Sequence, residues 1–319
     1  MKSVPRPLLG LLALLLLALL PAGAGAATKK PVAPSGPESS TVRIQIGHLK
    51  GGKAQIMSTV PVIGSVKPSV PGQRVDVSFF HNGKRIERKT LRVRGGSFRV
   101  KIRIEEAGKY AASAHLRATD STRGDETIRK SWKVSFPGLH RGQCGPVVIG
   151  FKKAMRKMGY IANDGRCFGG KTARGVLAYR KVNGMARSSR AGAGLVKSAY
   201  AGRGEYKVRH PNAGEHLEAP LSKQVLVFAK GDKPFAVYPV SSGKSSTPTV
   251  TGHFTFMRTE PGYNSHGMYY SFYFYGGYAV HGYNSVPDYP ASHGCIRTFI
   301  SDQPEIYERI NHGESIFVF

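Results

Sequence analysis

The feature that most limits how this chain can fold is a change of hydrophobic period along its length. Between residues 42 and 137 apolar side chains recur at alternate positions: Val42, Ile44 and Ile46; Val75, Val77 and Phe79; Phe98, Val100, Ile102 and Ile104; Tyr110, Ala112, Ala114 and Leu116; Trp132, Val134 and Phe136. A strand turns successive side chains to opposite faces, so this alternation describes strands with one buried face. Asn82-Gly83 suits a two-residue hairpin turn, in which both positions need positive φ. Such strands at short intervals predict a β-sandwich over 42–137, with Trp132 in its core.

From Arg141 the spacing becomes helical. Val147, Val148, Phe151, Met155 and Met158 define one helix, which Gly159 is placed to end. A second helix is expected over 171–182, closed by Asn183-Gly184, so 141–187 reads as a small helical domain. Residues 188–213 are rich in Gly, Ala, Ser and basic side chains and read as a linker. Beyond them, strands are expected at 225–228, 235–240, 254–257, 269–275, 278–281 and 316–319. Asp302 and Glu305 have the spacing of a capping box for one late helix. The last domain, 214–319, is therefore expected to be β-rich and mostly antiparallel, and the chain as a whole multidomain and mainly β.

The N-terminus carries a targeting pattern. Lys2 and Arg6 precede an apolar run from residue 8 to residue 20, and Ala24-Gly25-Ala26 supplies small residues for cleavage. This predicts an export signal over 1–26, followed by a flexible tether over 27–41. An uncleaved anchor is the alternative, although the run is short for a membrane span. The 47 Lys+Arg against 19 Asp+Glu give a net charge of +28. On an exported protein that charge points to anionic polymers, lipid head groups or carboxylates as partners, and away from nucleic acid. Compositional bias serving solubility explains the same number.

Of three cysteines, Cys144 and Cys167 share one short segment, whereas Cys295 stands alone. Outside the cytoplasm a pair tends to oxidise and a leftover thiol is available for chemistry. A Cys144–Cys167 disulfide with free Cys295 is expected; three reduced, inert thiols are the alternative. The run His281-Gly-Tyr-Asn-Ser-Val-Pro-Asp-Tyr-Pro-Ala-Ser-His-Gly-Cys-Ile-Arg297 is the densest chemistry in the chain. A thiol attacks carbonyls as thiolate and needs a base beside it. A turn between two adjacent strands is expected to bring His281 to Cys295, and Gly282 and Gly294 permit unusual backbone dihedrals.

These residues resemble the signature of the YkuD-type L,D-transpeptidases. The similarity extends over 214–319, through the segments 221–226 and 238–243, the Thr247-Pro248-Thr249 to Gly252-His253-Phe254 turn, and the closing 302–311 and 315–319. Two positions depart from the pattern: Ala219-Pro220 interrupts the first strand, and Thr298 replaces a larger apolar residue. The resemblance implies an exported enzyme in which Cys295 forms an acyl-enzyme with a peptidoglycan stem peptide. The terminal D-residue leaves, and the acyl group passes to an amine of a neighbouring stem. It also implies His281 as base, oriented by the Gly282 carbonyl. His293, two residues from the thiol, is the rival base and is assigned to shaping the site, while Ser292 is a candidate for substrate binding. The Gly294 and Cys295 amides are candidates for the oxyanion hole, and Arg297 braces the loop or meets a substrate carboxylate.

Within the aromatic-rich segment 261–275, Tyr263, Met268 and Tyr270 are the candidates for substrate contact, while His253 and His266 read as ordinary surface residues. No cofactor or metal is implied, although His281, His293 and Cys295 are also a possible zinc set. Hydrolysis of the thioester, making an L,D-carboxypeptidase, and a non-catalytic wall-binding protein are the alternatives. Phe168-Gly169, Thr172 and Asn183-Gly184 make 141–187 similar to helical peptidoglycan-binding domains, and 42–137 is most like a bacterial immunoglobulin-like module. Anionic wall polymers join the stem peptides as expected partners. The membrane is expected to be met only through the signal sequence.

Overall fold

The computed structural model describes residues 38–319; the expected signal over 1–26 and most of the tether over 27–41 lie outside the described residues. None of the described helices is long and apolar enough to cross a membrane. The end of the tether is already structured. Glu38–Ser39 pairs in parallel with Thr122–Arg123, and buried Ser40 donates to the Pro68 carbonyl at 2.9 Å.

The first domain is a sandwich of two sheets. One holds Thr41–Ile46, Thr59–Lys67 and Ser97–Arg103; the other runs from Lys53–Gln55 through Lys130–Ser135, Lys109–Leu116 and Arg74–His81 to Lys84–Arg92. The alternating residues of each strand meet in a single core that includes Trp132, Phe79 and Ile44. Gly64 sits where a Cβ would lie 1.9 Å from the Phe98 ring, so glycine lets that ring rest on the backbone. Asn82 and Gly83 take φ of 49° and 88°, as the hairpin requires. Lys84–Arg92 escapes the period rule because it is an edge strand wet on most positions. Its row of cations discourages pairing with another chain.

The helical unit contains Pro146–Lys157, Gly170–Val182 and, contrary to the expected linker over 188–213, a third helix at Ala193–Tyr200. Its Gly- and Ala-rich composition hid the buried Leu195, Val196 and Ala199. Cys144 and Cys167 are disulfide-bonded and Cys295 is free. Phe151, Met155, Val176 and Tyr179 join one buried cluster with Val225, Val227 and Val237 of the following sheet. The helices and the last domain therefore share a core.

That last domain packs a five-stranded sheet against a four-stranded one. The first has the order Lys233–Pro239, Val225–Lys230, Glu215–Ala219, Ser315–Val318, Gly252–Thr255. The second has the order Arg258–Tyr263, Tyr269–Tyr275, Tyr278–Tyr283, Ile296–Phe299. Phe228, Tyr238, Phe256, Phe274, Val280 and Ile296 fill the space between them. Two of these strands, at 258 and 296, were not expected, and two pairings are parallel: Glu215–Ala219 with Ser315–Val318, and Tyr278–Tyr283 with Ile296–Phe299. Pro220 falls just past its strand, where a missing N–H does no harm. The helix Gln303–Arg309 follows Asp302, but no capping box forms, because the Asp302 carboxylate turns away to Arg174.

Candidate active site

Cys295 immediately precedes the strand Ile296–Phe299. That strand lies parallel to Tyr278–Tyr283, pairing Val280 with Ile296 and His281 with Arg297. Parallel neighbours cannot be joined by a tight turn. The connection over 284–295 is therefore a crossover loop and not the expected hairpin. The segment after Pro239 stitches it down. Ser241 Oγ donates to the Tyr289 carbonyl at 2.7 Å, and the Ala291 and Ser292 amides both donate to the Ser242 carbonyl at 2.9 Å.

A cavity of about 320 Å³ opens beside this loop, lined by His266, Met268, His281, Tyr283, Ser292, His293, Cys295 and Arg297. The geometry thus brings together Cys295, His281, His293, Ser292, Arg297 and Met268. Tyr263 and Tyr270 lie outside it. Tyr263 packs at a tilt against Tyr269, with ring centroids 4.5 Å apart, and the Tyr270 ring packs edge-on against Tyr307 at 5.1 Å. Sequence reading missed two lining residues, Tyr283 and His266. Tyr283 carries the Arg297 guanidinium over its ring at 4.1 Å. His266 belongs to a turn built on Asn264, whose Oδ1 accepts from the His266 and Met268 amides at 3.0 Å; the Asn-Ser-His-Gly turn signal was its only sequence trace. His253 lies elsewhere, stacked on Phe317.

His281 is 2% exposed. Its Nδ1 lies 2.9 Å from the Gly282 carbonyl oxygen. A carbonyl only accepts, so Nδ1 carries the proton and Nε2 is left as the basic nitrogen. Burial pushes the imidazole down to about 4; the Gly282 bond opposes the shift and the Arg297 charge adds to it. Burial also pushes the half-buried Cys295 thiol up, against the Ala279 backbone amide and the Arg297 charge. Its Sγ donates to the Gly277 carbonyl at 3.5 Å. Burial thus favours the neutral form of both groups, imidazole and thiol.

The loop's backbone corrects a further expectation. The Gly294 amide donates to Ser292 Oγ at 3.0 Å, while Ser292 Oγ donates to the Cys295 carbonyl at 2.6 Å. Gly294 is committed to the loop and is not open as an oxyanion donor, which leaves the Cys295 amide. Gly294 has φ of 120°, and a Cβ there would meet the Tyr278 ring at 2.6 Å. Glycine is required at this step on both counts. Arg297 Nη1 donates to the Ala291 carbonyl at 3.4 Å, bracing the loop from inside the cavity. Thr298, the unusual residue after it, is fully buried with its hydroxyl 3.1 Å from the His281 carbonyl oxygen. Among the described residues no three His, Cys, Asp or Glu side chains are grouped to hold a metal ion.

Residues 214–318 match the YkuD family, the L,D-transpeptidase catalytic domain. Among solved structures, the L,D-transpeptidase of Xylanimonas cellulosilytica is 26% identical with a TM-score of 0.53, over 57% of this chain and 98% of that one. An L,D-transpeptidase of Stackebrandtia nassauensis is 19% identical with a TM-score of 0.36, over 58% and 96%. The Enterococcus faecium L,D-transpeptidase is 24% identical with a TM-score of 0.30, over 40% and 62%. No curated protein matches the chain. The last third of the molecule is a YkuD-type L,D-transpeptidase catalytic domain. The function that follows at this level is that of a cell-wall transpeptidase.

Proposed function

We propose that the protein is an exported, cysteine-dependent L,D-transpeptidase that works through a thioester. The observation that carries this reading is the shared cavity, where the single free cysteine lies with a buried histidine in the Nδ1-protonated tautomer. The Cys295 sulfur attacks the carbonyl carbon joining the third and fourth residues of a stem peptide, and its proton passes to His281 Nε2. The new C–S bond forms as the carbonyl oxygen becomes an oxyanion, for which the Cys295 amide is the donor in this reading. Collapse breaks the C–N bond, and His281 returns the proton to the leaving amine as the terminal D-residue departs. An amine of a second stem then attacks the thioester and yields its proton through His281, and the thiol is restored.

Because burial disfavours both charged forms, in this reading proton transfer to His281 accompanies the attack of the sulfur. Burial lowers the basicity of His281 yet keeps it unprotonated across the neutral range, which is the state a base must hold. Arg297 holds the loop and offers its remaining donors to a substrate carboxylate. His293, exposed at the cavity mouth, shapes entry.

The test is intact-mass measurement of the full chain incubated with a disaccharide-tetrapeptide, beside Cys295→Ala. An adduct equal to the substrate minus one D-residue, absent from the variant, is expected. A cross-linked dimer as product identifies the transferase, and tripeptide alone identifies a hydrolase. No adduct under turnover conditions sinks the reading.

A further inference from the structure

The histidine strand is gripped from outside its own domain. Arg174, on the helix Gly170–Val182, donates Nε and Nη2 to the two carboxylate oxygens of Asp302 at 2.5 and 2.6 Å. Asp302 is 2% exposed. A two-pronged bond between a guanidinium and a buried carboxylate sets orientation as well as distance. The next residue, Gln303, is fully buried and touches three residues around the site. Its Nε2 donates to the Tyr270 carbonyl at 2.6 Å, and its Oε1 accepts from Thr298 Oγ1. Its Cβ lies so close to Gly282 that an added Cβ there would come within 3.0 Å. Gly282 supplies the carbonyl that orients His281, and Thr298 shares its one hydroxyl proton between Gln303 and the His281 carbonyl.

A second grip comes from the same helix face. Lys181 stands seven residues, about two turns, beyond Arg174. It is 5% exposed and donates Nζ to the Gln224 and Val240 carbonyls at 3.2 and 2.9 Å. Val240 precedes Ser241, whose amide and carbonyl pair with Arg297 at 3.0 and 2.9 Å. Two basic residues of one accessory helix therefore hold both strands that frame the reactive pair. The helical unit has no independent core to move away with, because Val225, Val227 and Val237 belong to it.

We propose that the helical unit is a positioning element of the catalytic domain: through Asp302 and Gln303, Arg174 sets the orientation of His281 toward Cys295. The proposal rests on the reading of Cys295 and His281 as nucleophile and base. Arg174 and Gln303 touch no reacting atom; they act through Gly282 and Thr298. A helical unit serving only as wall-binding appendage, or an ionic clasp serving only as glue, predicts no change in thiol chemistry when the clasp is cut.

The experiment uses the full chain and reads one sulfur, since the other two cysteines are bonded to each other. The rate of Cys295 alkylation by iodoacetamide is measured from pH 5 to 9 in the parent protein, Arg174→Met, Thr298→Val, Lys223→Met and His281→Ala. Arg174→Met and Thr298→Val are expected to slow alkylation about tenfold at neutral pH. Their pH profiles shift toward that of His281→Ala, and turnover falls in kcat with KM unchanged. Lys223→Met removes a 2.8 Å bond to the Val182 carbonyl across the same interface, away from the Gln303 turn, and leaves the rate as it was. Thr298→Val strands no charge, so it answers the question even where Arg174→Met fails to fold. Unchanged alkylation in Thr298→Val, or equal slowing in Lys223→Met, overturns the proposal. Absence of an acyl adduct would instead refute the enzymatic reading while leaving this comparison interpretable.

Discussion

His281 and Arg297 stand side by side on two parallel strands, paired in register. That pairing places the imidazole within reach of a charge that favours its neutral form, and places Cys295 at the mouth of the neighbouring strand. It also aims the guanidinium at the loop between them, where Ala291 accepts its hydrogen bond. Burial, register and a single cation together decide the protonation of the site.

The pH dependence follows from that arrangement. In the unfolded chain His281 titrates near its ordinary 6.5, whereas in the fold it is held down to about 4. Between those values the unfolded chain binds a proton that the folded one refuses, so stability falls as pH drops through this window. Urea midpoints at pH 7, 5.5 and 4 should show the loss, and His281→Gln should flatten it. The acid limb of kcat/KM should lie near 4, well below 6.5. Cys295 alkylation should still be climbing at pH 9, because burial raises the thiol.

Gly294→Ala should abolish most activity. The substituted residue meets both an unfavourable φ of 120° and the Tyr278 ring at 2.6 Å. The loop must shift, and a displacement of the nucleophile by about 1 Å costs on the order of a hundredfold in kcat/KM. The fold should lose only about 1–3 kcal/mol, read by thermal melting.

Ser292→Ala removes the hydroxyl that links the Gly294 amide to the Cys295 carbonyl. The reactive turn then loses the one side-chain tie that spans Gly294 and Cys295. A fall of about tenfold in kcat with KM unchanged is expected from steady-state kinetics. A rise in KM with constant kcat would show that Ser292 binds substrate and does not shape the turn.

Replacing both Cys144 and Cys167 by Ser should lower stability by about 3 kcal/mol, since the bridge closes a loop of 23 residues in the unfolded chain. The measurement is a denaturant titration of the full chain. Because the helical unit shares its core with the catalytic sheet, its loosening should also depress turnover.

Much of the architecture was legible wherever one side of a strand faces a core and the other faces water. The alternation at Val75, Val77 and Phe79 or at Phe98 to Ile104 is the direct imprint of that condition. Strands outside that condition left no such imprint. Lys84–Arg92 is exposed along most of its length, and Ile296–Phe299 is too short to show a period. The helix Ala193–Tyr200 was hidden because small residues pack against their neighbours without a conspicuous apolar stripe. The candidate site was legible as a local run, since His281, Ser292, Gly294, Cys295 and Arg297 lie within seventeen positions.

The amino-acid order alone determined the chemical inventory: one cysteine apart from a pair, a histidine fourteen residues before it, and glycines at the two steps that need them. Tertiary structure decided the rest. It made the crossover parallel, spent the Gly294 amide on Ser292, brought His266 to the cavity, and set Arg174 on Asp302 across 128 residues. Residue types and short-range dihedral preferences are properties of neighbouring letters. Protonation, donor availability and long-range ion pairing depend on which groups lose water together, and only the packed chain selects those.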